Sequence, residues 1–547
     1  MSYYKLARPS LYQYIECQNN DSVLNMCSVI AGVLVQKSLS LIRSVLKATN
    51  MIHVPLAIFG VLIGTLLIWL RLQFNYWKRR NAPTVPTTGL YKLRDREHIA
   101  YSYQRAYNRM KAENKGYAGI YTLLTPTLLI ADLDIIKLIL ITEFEAFPDR
   151  GFFVNFKSDP LSRNIARAYG ELWRKLRTKI TPTFTAARMR QMFENVELIG
   201  RQFIRVMEEE MLEQNHVVEV RDLCARFITD IVGNVAFGLD CNSLKNPKTE
   251  FRVMGDKTFA QVNPFLDMMA SHFPKLFTWL DYKVSSPEVI AFYTKIVKDT
   301  VEYREKNNVK RNDFLDLMIE LKNRPHQEGE YQLKMDDLIA QSFVFFSAGF
   351  ETSSSTTAFA LYEMAQNHQI QEKARLDIEE ALAKFEGEFT YDCLNEMTYL
   401  RQVVLETLRK HPPLPSSKRI CRRRYTFPDK VGLTVEPHVQ VIIPVYAIHH
   451  DPEYYPQPEV FRPERFAPEE RNKRHPMSYL PFGAGPRICI AERFGMMETM
   501  VGLALLLRNF KFSTCEQTPK QLQFDPFNVF VFSIQGGIHL KVEKVQK

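Results

Sequence analysis

A chain of 547 residues exceeds the usual single-domain size, yet no Pro/Gly- or Ser-rich linker divides it and no internal repeat appears. Hydrophobic residues make up 46% and aromatics 12%, with 37 Phe, enough for a large core and an apolar cavity. The net charge of +10 favours acidic partners, but no nucleic-acid motif accompanies it, and 8 cysteines without CxxC spacing read as reduced, cytosol-facing thiols rather than a disulfide framework.

Residues 1–50 are basic and acid-poor, with Lys5, Arg8, Lys37, Arg43 and Lys47 against Glu16 and Asp21. Such a leader reads as a targeting segment or as an extension outside the functional chain. From Ile52 to Leu70 the run IHVPLAIFGVLIGTLLIWL is apolar except for His53 and Thr65. As a helix at ~1.5 Å per residue it spans about 28 Å, close to the ~30 Å hydrocarbon core, so residues 51–72 read as a membrane anchor. A buried core helix is the alternative. Trp69, Tyr76 and Trp77 fall where amphipathic rings meet the interface, and Arg71 with Lys78 to Arg80 orients the following chain, 73–547, to the cytosol. The charges of 1–50 oppose that orientation, so this extension is expected to be dispensable for fold, insertion and catalysis. Pro83 and Pro86 read as a stiff hinge.

Residues 117–141 hold two strand-like runs and then a helix starting near Asp132. The loop from Asp149 to Ile165 concentrates Phe152, Phe153 and Phe156, more aromatics than a plain surface loop carries, although local packing explains two of them. A helix near Glu171 to Ile180 puts Trp173 and Arg177 on one face, and Arg174, Lys175 and Lys179 make it basic. Residues 186–306 read as mostly helical, broken at Phe237-Gly238 and Asn263-Pro264, with an apolar stretch from Phe265 to Leu280.

Asp336 to Gln366 is long enough for a helix crossing a whole domain. Its middle reads Ala348-Gly349-Phe350-Glu351-Thr352, and the Thr352 hydroxyl can bond the Ala348 carbonyl and loosen the helix there. Glu406 and Arg409 lie one turn apart, just before His411-Pro412-Pro413 ends their helix. Arg419 follows Pro415, residues 432–444 alternate like a β-hairpin, and Pro463-Glu464-Arg465-Phe466 follows. Then comes FGAGPRICIAERFG, Phe482 to Gly495, with Cys489 between a Gly-rich loop and an apolar helical run. Gly483 and Gly485 permit a tight turn and close approach to a flat object. A thiolate before a helix start is favoured by the dipole. A lone cysteine builds neither a zinc nor an iron–sulfur site, but it can be the single protein ligand of a haem iron, with Arg487 meeting a propionate. A buried structural cysteine is the alternative.

These motifs resemble the cytochrome P450 family. Phe482, Gly485, Arg487 and Cys489 match F-x-x-G-x-R-x-C, with Ala491 where the family usually has Gly. Ala348 to Thr352 matches A-G-x-[DE]-T, Glu406 and Arg409 match E-x-x-R, and Pro463 to Phe466 matches P-E-R-F. Wording such as YREKNNVKRNDFLDL is similar to the insect microsomal group. The resemblance covers roughly residues 75–545. It implies an α-rich fold with small β-sheets and haem b held by the Cys489 thiolate. Trp173, Arg177 and Arg419 would reach the propionates. Glu351 and Thr352 would relay protons to bound oxygen, with Ala348 and Gly349 leaving room above the iron. Glu406, Arg409 and Arg465 would form a structural network, the Asp149–Ile165 loop would cover the distal haem face and contact substrate, and Phe524 to Phe532 would form the last substrate-contacting turn. It further implies monooxygenation of an apolar small molecule at the endoplasmic reticulum membrane, with electrons from an NADPH-dependent cytochrome reductase and cytochrome b5 as a further donor; the basic Trp173 helix reads either as the face that docks the donor or as a solvated surface. Two other readings stay open: a haem-thiolate isomerase or dehydratase that uses no oxygen, and a non-enzymatic haem- or lipid-binding membrane protein.

Overall fold

The computed structural model describes residues 53–86, 97–122, 125–260, 263–311, 313–325, 329–428, 432–526, 528 and 531–546; the extension over 1–50 lies outside them. The chain divides into two units, Met1–Tyr76 and Trp77–Lys547. In the first, one helix runs His53–Phe74. Its Ala57–Phe74 window has a mean hydropathy of 1.9 and is unburied, so it is long and apolar enough to cross a membrane. Thr65 Oγ1 bonds the Val61 and Leu62 carbonyls at 2.9 and 2.8 Å, so its hydroxyl is satisfied within the helix.

The second unit begins by correcting two expectations. Trp77 is not an interface ring. It is fully buried, and its indole N–H donates to the Ile120 carbonyl at 3.0 Å. The ring lies where a Cβ on Gly119 would stand, 2.3 Å away, so only glycine admits it. Nor is Pro83 part of a free hinge. Gly119 N–H donates to Pro83 O at 2.7 Å and Thr84 bridges Gly119 in parallel, which docks this segment on the sheet edge.

That sheet runs Tyr117–Thr122, Thr125–Ile130, Gln440–Ile443, Ser417–Ile420, with the middle pair parallel. The parallel step needs a long crossover, and the helical body supplies it. Residues 432–444 are therefore not a local hairpin. Thr434–Val435 pairs with Tyr425–Thr426, whereas Gln440–Ile443 is buried at every position as a central strand. Alternation in the sequence did not distinguish a hairpin from two strands entering different sheets.

The helix Met335–Gln366 runs through the body, apolar and buried around most of its circumference, as a central helix should be. It packs against helices Val220–Val232, Thr398–Lys410 and Glu492–Asn509. The expected breaks are real: Gly238 adopts φ +68° and Asn263 caps helix Pro264–His272. The outcome is the α-rich architecture with small sheets implied by the resemblance.

Candidate active site

Cys489 lies just before helix Glu492–Asn509 and opens onto an internal cavity of about 840 Å³. Its N–H donates to Phe482 O at 2.9 Å, which closes the loop. Burial pushes the thiol up, while the Ala491 N–H and the guanidinium groups of Arg150 and Arg177 favour the thiolate. Ala491 has φ −100° and ψ 19°, an ordinary backbone for an L-residue, so a methyl group there costs nothing in conformation. Gly485 is needed for a different reason than expected: at φ +70° its missing Cβ would meet the Leu140 carbonyl at 1.9 Å, a protein neighbour rather than a flat ligand.

A buried network holds this loop from below. Glu406 receives Arg409 in a two-point pair, at 2.7 and 2.9 Å, and the Arg465 guanidinium stands 3.3 Å away. All three are essentially unexposed. Arg409 also donates to His449 O at 2.9 Å, and His449 Nδ1–H returns a bond to Arg409 O at 3.1 Å. That tautomer leaves Nε2 to accept the Leu480 N–H at 2.9 Å, one strand-length before the Cys489 loop. Burial and Arg409 push His449 down to about 3, so it stays neutral and keeps this acceptor. The sequence singled out Glu406, Arg409 and Arg465 but not His449, which carries the connection to the loop.

Arg150, Arg177, Arg419 and Arg487 are among the arginines that line the same cavity, beside Arg167 and Arg221, which pair with Asp267 and Glu351. Burial lowers the pKa of the first four, to about 9 for Arg419 and about 8 for Arg487. Arg177 donates to Ile488 O at 2.9 Å. Arg419 reaches only Ser417 Oγ and Lys418 O, and its Nε has no partner among the described residues. Arg487 differs. It lies 3.9 Å from the Trp173 ring centroid, and its donors engage Pro148 O, Ala168 O and Asp149. Its guanidinium clasps the 148–168 segment instead of standing free for a propionate. Trp173 is buried beneath it, on helix Gly170–Ile180. Arg150 was not apparent from the sequence; its neighbour Asp149 was the only cue.

Across the cavity from Cys489 lies the middle of helix Met335–Gln366. Thr352 Oγ1 donates to Ala348 O at 2.6 Å, the predicted bond, and both residues face the cavity. Glu351 also lines the cavity, but its carboxylate is engaged: it pairs with Arg221 at 2.9 Å, and Arg221 also donates to Ser533. Gly349 lines the cavity, and a Cβ there would also press on Val232 Cγ2 at 3.3 Å, so helix packing favours glycine at this position as well. Phe152 lines the cavity, whereas Phe153 packs on Phe277 and Phe156 stacks on Tyr169, the local packing that explains two of the three. Met268, Ser271 and His272 roof the site, with Phe265, Leu276 and Trp279 exposed on the outside. Asp525, Asn528 and Val531 complete the wall; Phe527, Val529 and Phe530 of the expected substrate turn lie outside the described residues.

The helical body, the lone cysteine loop and the Thr352–Ala348 bond opposite it define a haem-thiolate oxygenase, and the chain belongs to the cytochrome P450 family, whose sequence model matches residues 83–540. It is similar to cytochrome P450 6a8 of Drosophila melanogaster, 42% identical over 495 residues that cover 88% of this chain and 97% of that one. It is similar also to cytochrome P450 6a9 of the same species, 41% identical over 505 residues, 90% and 99% of the two chains. Probable cytochrome P450 6a18 is 41% identical over 487 residues, 87% and 96%. The chain is thus a monooxygenase of the insect microsomal group that uses haem with a cysteine thiolate ligand, a redox partner and a small-molecule substrate. The residues present fit a dianionic haem. Arg419 has an orphaned buried donor, and the downward shifts of Arg150, Arg177 and Arg419 mark buried cations short of negative charge.

Proposed function

We propose that Cys489 supplies the axial thiolate and that Arg150, Arg177 and Arg419 hold the propionates, with Arg487 and Trp173 bracing them. The observation that carries this reading is the cavity itself: a cysteine on one wall, the Thr352–Ala348 bond on the other, and under-compensated guanidinium groups around it. When bound, the haem supplies the iron at which dioxygen is reduced and one oxygen atom is transferred, the thiolate lending it electron density. Thr352 holds and passes a proton at its hydroxyl. Its bond to Ala348 O orients that hydroxyl on the cavity wall. Glu351, engaged by Arg221, sets the polarity of this wall.

The substrate is an apolar small molecule, a xenobiotic such as an insecticide or plant toxin, or an endogenous lipid or hormone; Phe152, Val289 and Leu414 among the wall residues support this class. The apolar helix and the Arg71 and Lys78 to Arg80 cluster support an endoplasmic reticulum anchor with the catalytic unit in the cytosol, over a functional chain of 51–547. The exposed Phe265, Leu276 and Trp279 support contact with membrane lipid. Substrate-dependent NADPH consumption by the purified protein with an NADPH-dependent reductase, with or without cytochrome b5, tests the whole reading. Consumption without product, for every compound that shifts the haem spectrum, would contradict it.

Thr352→Ala is expected to keep haem and substrate affinity while losing product per NADPH by roughly tenfold or more, the missing electrons emerging as peroxide. Unchanged coupling would assign the relay to another group. Among the described residues, Lys175 and Lys179 on the basic helix pair with the exposed carboxylates of Glu171 and Glu330, at 3.8 and 2.5 Å. Such surface pairs hold weakly and can be exchanged for a partner's acids. Reversing both lysines to Glu should slow reduction by the reductase several-fold at low salt and flatten its dependence on ionic strength. Equal rates at low salt would remove this helix from the docking surface.

A further inference from the structure

His98 stands at the start of helix Ile99–Ala112 with 1% of its surface exposed. Its Nδ1 accepts the Ala100 N–H at 3.1 Å, so a ring caps this helix where a hydroxyl or carboxylate is usual. A neutral imidazole that accepts at Nδ1 carries its proton on Nε2. Nε2–H therefore donates, and its partner is the Asn528 carbonyl at 2.8 Å, 430 residues along the chain. The ring also meets Phe532 edge to face, with centroids 4.8 Å apart. Burial pushes His98 down to about 4, although Asn528 O and Asp525 act the other way, so the ring stays neutral and keeps both bonds. Asn528 belongs to the turn from Asp525 to Ser533, whose limbs are joined by Asp525 N–H on Ser533 O at 2.8 Å and by the stacked rings of Phe524 and Phe532. The base of the turn is anchored twice. Phe532 N–H donates to Pro413 O at 2.9 Å, and Ser533 Oγ accepts from Arg221. At the tip, Asn528 Oδ1 accepts the Val531 N–H at 3.3 Å. Asp525, Asn528, Val531 and Ser533 line the cavity, as does Ile99 beside His98, while His98 itself is not on the wall.

We infer that His98 is a positioning residue of this site: its Nε2–H bond to Asn528 O fixes the turn wall against helix Ile99–Ala112 and thereby sets which lengths of apolar ligand the cavity accepts. The inference rests on the haem-thiolate reading above. His98 acts through Asn528 and Val531, the residues that a ligand meets, and touches neither ligand nor cofactor itself. A small ligand held at the Cys489 end is indifferent to this wall. One long enough to reach the turn is not, because a tip that wanders no longer presents one surface for the ligand to pack on. The two bonds of the ring do separate work: Nδ1 completes a helix, and Nε2 joins two walls that are remote in sequence. The plain alternative is that His98 does no more than cap its helix.

The test separates those two bonds in the haem-loaded full chain. His98→Asn keeps a side-chain acceptor for the cap but is too short to reach Asn528 O, and His98→Ser does the same if the first variant folds poorly. In either variant, hydrogen exchange over residues 523–535 is expected to quicken roughly fivefold, the loss of about one hydrogen bond, while exchange over 99–112 stays near that of the unmodified protein. The haem spectrum then reads two probes that share one iron-binding head. 1-Methylimidazole is expected to bind as before, and 1-dodecylimidazole to lose affinity roughly fivefold. A cap alone predicts neither change. Unchanged exchange over 523–535, unchanged dodecyl affinity, or equal losses for both probes would overturn the inference. So would loss of the thiolate-type reduced carbonyl spectrum from both variants, which would make His98 a structural cap. An unmodified protein whose spectrum does not respond to 1-methylimidazole would instead bring down the haem reading beneath it.

Discussion

Replacing Cys489 by alanine is expected to abolish monooxygenation and the thiolate-type reduced carbonyl spectrum while leaving the polypeptide folded. The loss should be complete because no neighbouring thiol can substitute. Among the described residues Cys224, Cys241, Cys393 and Cys421 are buried away from the cavity wall, and Cys515 is not on it. The fold should survive because the Cys489 side chain contributes little packing: it opens onto the cavity, and the loop is closed by its backbone bond to Phe482. Cys489→Ser offers a finer version, retaining size and a donor atom while removing the soft thiolate. Carbonyl difference spectra and haem content of both variants, beside circular dichroism, check the prediction. A normal thiolate spectrum in Cys489→Ala would refute it.

The second large effect lies away from the cavity. Glu406→Ala should destabilise the fold by about 3–5 kcal/mol, because Arg409 and Arg465 would remain buried without their counter-charge. Against a total stability of roughly 5–15 kcal/mol, that is enough to deplete the folded protein at growth temperature. Arg409→Ala breaks the same pair and also removes the donor to His449 O, so it should damage the Cys489 loop in addition. Urea midpoints and the fraction of protein that retains a thiolate spectrum measure both effects. A midpoint within experimental scatter of the parent would show the network to be dispensable.

What the sequence disclosed and what it hid follow one physical line. Thr352 and Ala348, or Glu406 and Arg409, stand three or four residues apart on one helix, so spacing alone predicts their contact. The Cys489 loop is likewise a single contiguous stretch. The features that escaped join segments far apart in the chain: Trp77 beneath Gly119, Arg221 on Glu351, Arg150 beside Arg487, and His98 on Asn528. Tertiary pairing decides these, and it also split residues 432–444 between two sheets. Gly349 and Gly485 were recognisable as required glycines, but not for what lies against them.

The cationic ring around the cavity has a consequence for how this protein is produced in a cell. Before cofactor insertion the folded chain must keep Arg150, Arg177, Arg419 and Arg487 together, with Asp149 the acid that pairs with one of them. Asp149 offsets part of their mutual repulsion, and a bound dianion would relieve more of it, binding the folded form and having no such pocket in the unfolded one. A ligand present at a thousand times its dissociation constant raises stability by about 4 kcal/mol. Haem supply therefore sets how much of the newly made chain escapes proteolysis, and the steady amount of enzyme should follow porphyrin synthesis as well as transcription. In a haem-starved cell, the same arginines would mark the unfilled chain for turnover.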